Sequence, residues 1–157
     1  MGNEKTGAEA EHEFFRDWKK RLESRLPLLR EELELLVSHR EWAYSTTDII
    51  NDACRFRLVT VDDAVWLQRQ FDAESYVHKQ LETFVRLNDP QSNWKEVFLL
   101  ALANRTNWAA REILTDLGAS DIEDARAMIE SSSRPKSVKN ELLGIVQDVA
   151  KRTKPRS

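Results

Sequence analysis

Residues 45–63 read STTDIINDACRFRLVTVDD, and their pattern is helical on both sides of a short break. From Ile49 onward, apolar side chains recur at the spacing of one helix face, until Thr60 and two aspartates follow. Hydroxyl side chains satisfy the free amide groups at the start of a helix, and carboxylates in the first turn stabilise that end. The stretch therefore predicts one helix from near Ser45 to near Arg57, and another that begins after Thr60.

The same spacing continues in both directions along the chain. Upstream, a single apolar stripe comprises Phe15, Trp18, Leu22, Leu26, Leu29, Leu33 and Leu36. Pro27 interrupts this stripe and removes a backbone donor, so the first helix should be bent or divided there. Downstream, helices are expected over about 61–71, 73–87, 93–105, 107–117, 120–130 and 136–152. We therefore predict an all-α chain without strands.

Local signals also predict how several helices begin and end. Asp72 is expected to cap one helix, and Ser120 with Glu123 to form a capping box for a later one. Gly118 is expected to end a helix in the left-handed conformation, which glycine adopts without steric cost. Val61 is expected to be buried in the helix after Thr60.

Composition favours a chain that folds in a reducing compartment. The 157 residues contain one cysteine, Cys54, which cannot form an internal disulfide and lies on an apolar helix face. This placement favours a core thiol over a nucleophile. The polar, acidic residues 1–13 do not resemble a signal peptide, and no apolar run is long enough to span a bilayer. We expect a cytoplasmic or nuclear protein with no membrane contact.

Motifs for catalysis are missing from the sequence. Four scattered glycines exclude a phosphate-binding loop. Glu9 and His12 have the spacing of half a di-iron motif, but the second pair that such a site needs is absent. Arg105 is not followed by the histidine that a helical nuclease of the HEPN type would need. We therefore predict no enzyme activity, no cofactor and no metal.

Charge is unevenly distributed along the chain. Residues 134–157 carry seven bases and two acids, a net charge of +5, whereas the remainder has a net charge of −8. A basic segment beside an acidic body is typical of a solvated terminus, but also of a contact with RNA or an acidic partner. The sequence leaves both interpretations open.

Three segments carry a family resemblance. They are DIINDAC at 48–54, LVTVDD at 58–63 and NWKEVFLLAL at 93–102. Together with the apolar Val77, Leu81 and Val85 and the helix end at Leu117-Gly118, they make residues 22–118 resemble the CARD modules at the N-termini of RIG-I-like RNA-sensing helicases. Dicer-related helicases of nematodes are similar helicases with divergent N-terminal regions.

The resemblance implies a six-helix antiparallel death-fold bundle with two additional C-terminal helices. Residues 1–13 would be a flexible N-terminus, 14–118 the CARD-like domain, and 119–157 a helical extension or linker. The implied function is a protein–protein interaction module whose partner is another CARD or death-fold protein or a second copy, in antiviral or small-RNA signalling. The alternative is an RNA-associated or dimerisation domain of a Dicer-related helicase.

Death folds associate through patches of opposite charge, which give orientation and a fast encounter. The candidate acidic residues are Asp48, Asp52, Asp62 and Asp63, and the candidate basic residues are Lys19, Lys20, Arg25, Lys79 and Arg86. Trp66 stands off the apolar stripe of its helix, so it is a candidate exposed contact. Ordinary solvated surface charge is the competing interpretation of the charged residues.

Overall fold

The computed structural model describes residues 6–153, and all regular structure in that range is helical. The helices are α1 (Gly7–Glu23), α2 (Arg30–Ser38), α3 (Ala43–Arg55), α4 (Val61–Arg69), α5 (Tyr76–Leu87), α6 (Trp94–Ala103), α7 (Asn107–Thr115), α8 (Ile122–Ser131) and α9 (Lys136–Thr153). A 3₁₀ turn, Ala119–Asp121, precedes α8. The all-α prediction is confirmed. None of the helices within 6–153 is long and apolar enough to cross a membrane.

The chain leaves helical geometry completely between α1 and α2. Arg25 adopts a left-handed backbone conformation with φ of 57°. Leu26 and Leu29 are each 62% exposed, so the prediction that they continue the buried stripe is wrong. Leu28 is buried instead, and its amide donates to the carbonyl of Leu58 at 2.8 Å. Because this break gives two helices instead of one bent helix, residues 6–153 contain nine α-helices rather than the eight expected.

The chain divides into two compact units, Met1–Glu82 and Thr83–Ser157, called unit 1 and unit 2. In unit 1, α1 packs against α3 and α2 against α4. In unit 2, α7 packs against α6, and α9 covers both α7 and α8. This division lies within α5, whereas the sequence analysis placed a boundary after residue 118. Residues 7–13, expected to be flexible, form the first turns of α1.

Each unit has its own apolar core, built from the helix stripes. The core of unit 1 includes Leu22, Leu33, Leu36, Ile49, Ile50, Ala53, Cys54, Leu67 and Leu81. The core of unit 2 includes Phe84, Phe98, Ala109, Leu114, Ile129, Leu142, Val146 and Val149. Val61 is an exception to the predicted pattern, because it is the first residue of α4 and lies at the surface.

Some predicted helix ends are right, including the starts at Asn107 and Lys136, and others are wrong. Thr60 caps α4, since its hydroxyl accepts from the amide of Asp63 at 3.1 Å. Gly118 has an ordinary φ of −83°, and α7 has already ended at Thr115. Ser120 lies in the 3₁₀ turn, so the expected capping box does not form. α8 begins directly after this 3₁₀ turn and has no side-chain cap.

Two further helix starts differ from the sequence prediction. Ser45 lies inside α3 and is buried, and its hydroxyl donates to Glu11 at 3.1 Å. The helix therefore begins earlier, at Ala43. Asp72 accepts from the amide of Glu74 in the preceding turn, so it does not cap α5. Both side chains make hydrogen bonds, but not the ones expected of helix caps.

Candidate interaction surfaces

An acidic pair on α3 holds one lysine of α1. Lys19 Nζ lies 2.7 Å from Asp48 Oδ2 and also forms an ion pair with Asp52. Partial burial opposes the charged amine, but the hydrogen bonds that Lys19 donates to the two aspartates outweigh it and raise the pKa of Lys19. Three of the predicted interaction residues therefore pair with one another inside unit 1. Two carboxylates share one ammonium group, so this cluster keeps a net charge of −1.

A second internal pair links α2 to α4. Arg30 donates from Nε and Nη2 to Asp63 Oδ1, at 3.0 and 2.7 Å. The same guanidinium lies 4.5 Å from the ring centroid of Trp66, which is half-buried. A cation over an aromatic ring is attracted by the negative ring face. Asp63 and Trp66 are therefore engaged within unit 1.

The other predicted interaction residues differ in how much of their charge is available. Arg25 lies over the ring of Phe56, 3.3 Å from its centroid. Arg86 lies 3.6 Å from Glu96, and Lys79 is half-buried with interactions of its own. Lys20 and Asp62 are exposed, and neither has an ion-pair partner within residues 6–153. Lys20 and Asp62 are therefore the best placed to meet a partner.

Arg21 organises the connection between α1 and α2, a role that the sequence analysis missed. Its guanidinium donates to both carboxylate oxygens of Glu32, at 2.7 and 2.9 Å. It also donates to the carbonyls of Leu26 and Pro27, at 3.1 and 3.0 Å. Glu32 in turn accepts from the amide of Leu29 at 3.0 Å. These contacts connect α1 and α2 to the segment 24–29, which we call the leucine loop and in which every residue except Leu28 is exposed.

The Arg21–Glu32 pair predicts an acid-dependent loss of stability. The hydrogen bond from Arg21, aided by the Leu29 amide, lowers the pKa of Glu32. A depressed folded-state pKa contributes stability above the unfolded pKa, and this is lost as pH falls through the folded value. Glu32→Gln should therefore lower stability near neutral pH, and the difference from wild type should shrink below about pH 4.

Urea unfolding at several pH values measures this difference. Glu34→Gln is the matched control, because Glu34 lies on the exposed face of the same helix. We expect the control to unfold like wild type at every pH. A difference between Glu32→Gln and wild type that stays constant from neutral to acid would contradict the assigned pairing.

Cys54 is a core residue, as predicted from its helix face. It is 2% exposed, and burial raises the pKa of its thiol to about 12. Because the thiolate is the reactive form, the native thiol should resist alkylation near pH 8 and react fully after denaturation. Mass spectrometry after iodoacetamide treatment checks this, and rapid labelling of the native chain would contradict it.

A groove with two tyrosines lies on the surface of unit 1. The groove has a volume of about 380 Å³, and we call it the tyrosine groove. Its lining residues are Ala43, Tyr44, Thr47, Asp48, Asn51 and Tyr76. Tyr44 is 82% exposed and Tyr76 is 47% exposed. The two tyrosines are 32 positions apart in the sequence, so only the packing of the helices reveals the groove.

Neither a metal site in the described part of the chain nor a known relative points to a function. Within residues 6–153, no group of three His, Cys, Asp or Glu side chains is placed to hold a metal ion. Lys20, Asp62, most of the leucine loop and the tyrosine groove all lie at the surface of unit 1. Comparison with known proteins finds no matching family model, no similar curated protein and no similar solved structure.

Proposed function

We propose that the chain is a protein–protein interaction module of the CARD type, from the N-terminal region of an RNA-sensing helicase. The observation that supports this is the order of the helices. The segments that carry the resemblance lie on α3, across the start of α4, and on α6. In this proposal, α1 and α2 correspond to the first helix of a CARD, α3 to α7 correspond in chain order to its other five helices, and α8 and α9 are additional.

The proposed mechanism uses Asp62 and Lys20, two predicted interaction residues that have no ion-pair partner within residues 6–153. Asp62 of one molecule meets a base such as Lys20 on its partner, which is a second copy or another death-fold protein. Such pairing sets orientation and encounter rate. Because the two surfaces differ, the contact does not close on itself and extends into a helical oligomer. The setting is antiviral or small-RNA signalling in the cytoplasm.

Charge reversal at Asp62 tests this proposal. Light scattering over a range of protein and salt concentrations, with negative-stain microscopy, should show association that salt reverses. Asp62→Lys should weaken association by about tenfold or more, because it places like charges at the contact. Glu34→Lys is the matched control, since it makes the same change at an exposed position on α2.

A charge-swap mixture gives a sharper result. Asp62→Lys and Lys20→Glu should each associate weakly alone. A mixture should recover association, because the lysine introduced in one variant faces the glutamate introduced in the other. Both variants should keep the helical content of wild type. A monomer under all conditions, or association that neither variant changes, would contradict the proposal.

A second candidate function, an RNA-associated domain of a Dicer-related helicase, is favoured by one observation. Lys136, Lys151 and Arg152 are all exposed on α9. Protein–RNA affinity that depends on phosphate contacts falls steeply with salt. If α9 binds RNA, changing Lys151 and Arg152 to glutamine should reduce the slope of log affinity against log salt by about 2.

A further inference from the structure

The tyrosine groove has the composition of a binding site for a protein segment. Tyrosine side chains are large and lose little conformational freedom on binding, and they are enriched among the residues that dominate interface energies. Here Tyr44 projects from the second position of α3 and Tyr76 from the first position of α5. The ring of Tyr44 also borders a second depression of about 220 Å³, formed by residues of α1 and α3 that include Glu11 and Phe15. The two depressions together have room for several residues of a peptide.

The negative charge of the groove favours a basic ligand. Asp48 lines the groove and shares Lys19 with Asp52, which leaves one negative charge uncompensated at this site. Glu11 adds a further carboxylate beside Tyr44. More widely, Met1–Glu82 carries 17 acidic and 12 basic side chains, a net charge of −5. A lysine or arginine between tyrosine rings and carboxylates gains both cation–π and ion-pair attraction.

The chain itself contains a segment of this chemistry. Residues 151–157 read KRTKPRS and carry four bases and no acid. Lys151 and Arg152 are exposed at the end of α9. We propose that the tyrosine groove of one molecule binds the basic segment 151–157 of a second copy of this chain.

The two surfaces of this contact are different, so each molecule offers one groove and one basic segment. Contacts of this kind join molecules head to tail and do not close by themselves. The proposal is independent of the CARD assignment, because it requires Tyr44 and residues 151–157 rather than Asp62 and Lys20. Variants at these positions therefore separate the failure of one proposal from the failure of the other.

Two variants block opposite sides of the contact. Tyr44→Ser removes an exposed ring from the groove, and the tail variant changes Lys151, Arg152, Lys154 and Arg156 to glutamine. Both variants are made in a chain that carries Asp62→Lys, so that the charge contact proposed above does not contribute to association. Sedimentation velocity of this 157-residue background chain at low salt should show a mean mass that rises with concentration. Each variant alone should lose that rise. An equimolar mixture should form a dimer and nothing larger, since only one intact groove meets one intact segment.

A labelled peptide of residues 150–157 gives a direct measurement of the groove. It should bind the tail variant by fluorescence anisotropy, and Tyr44→Ser in that background should weaken binding at least tenfold. Leu35→Ser is the matched control, because Leu35 is 55% exposed on unit 1 but lies away from the groove. We expect the control to bind the peptide like the tail variant.

Four results would overturn the proposal. The first is a mixture that stays monomeric although the peptide binds, which would mean that the groove accepts a basic segment but not that of a second copy. The second is peptide binding that Tyr44→Ser does not change. The third is self-association that responds to Asp62→Lys but not to Tyr44→Ser. The fourth is binding of the basic segment to RNA with no effect of either variant on mass.

Discussion

A chain that ends at Arg134 is expected to lose the fold of unit 2, although only the last helix and the residues after it are removed. α9 packs against both α7 and α8, and its Leu142, Val146 and Val149 are 1%, 1% and 2% exposed. Burying three such side chains contributes roughly 5–9 kcal/mol. That is comparable with the whole stability of a typical domain, about 5–15 kcal/mol. Far-UV circular dichroism should therefore show a loss of helix well beyond the 18 residues of α9.

A chain that ends at Thr153 is the control for this truncation. It keeps all of α9, so it should retain the fold of unit 2 and melt cooperatively. A chain ending at Arg134 that still melts cooperatively, with the helix of unit 2 protected in hydrogen exchange, would contradict the expected result. The basic residues of α9 must therefore be tested by substitution, because removing the helix would confuse lost binding with lost structure.

Leu33→Ala is expected to destabilise unit 1 by about 2–5 kcal/mol. Leu33 is fully buried on α2, which packs against α4. Removing its methyl groups loses their transfer free energy and leaves a cavity that the surrounding helices fill only in part. Urea unfolding followed by tryptophan fluorescence measures the change, since Trp18 is buried in unit 1.

Leu35→Ala provides the same chemical change two positions along the same helix. Leu35 is 55% exposed, so its truncation should change stability by no more than about 0.5 kcal/mol. Equal losses for the two variants would mean that α2 does not present the face described above. A small loss at both positions would mean that α2 is not held against the core in solution.

The helices were predictable from the sequence because their apolar spacing is a local property. Thr60 could also be assigned as a cap, since the amide that it binds is only three residues away. The course of residues 24–29 could not be predicted in the same way. Pro27 indicated a break, but the exposure of Leu26 and Leu29 depends on where Arg21 and Glu32 meet after folding.

The pairing of the charged interaction residues could not be predicted from the sequence either. Their identities and helices were evident in the sequence, but their pairing was not. Lys19 is 33 residues from Asp52, and the two meet because α1 packs against α3. Arg30 and Asp63 meet in the same way through α2 and α4. Only the folded chain distinguishes these engaged charges from Asp62 and Lys20.

The hydrogen bonds of the leucine loop should slow proteolytic cleavage of unit 1. The peptide bond after Arg25 lies at the surface between two helices, where trypsin-like enzymes usually cut first. A protease must draw several residues of backbone into an extended conformation, and opening of this kind depends on local stability. Arg21 holds two carbonyls of this segment, and Glu32 holds one amide. We therefore expect this exposed bond to resist cleavage, and cleavage there would report that the Arg21–Glu32 ion pair has opened.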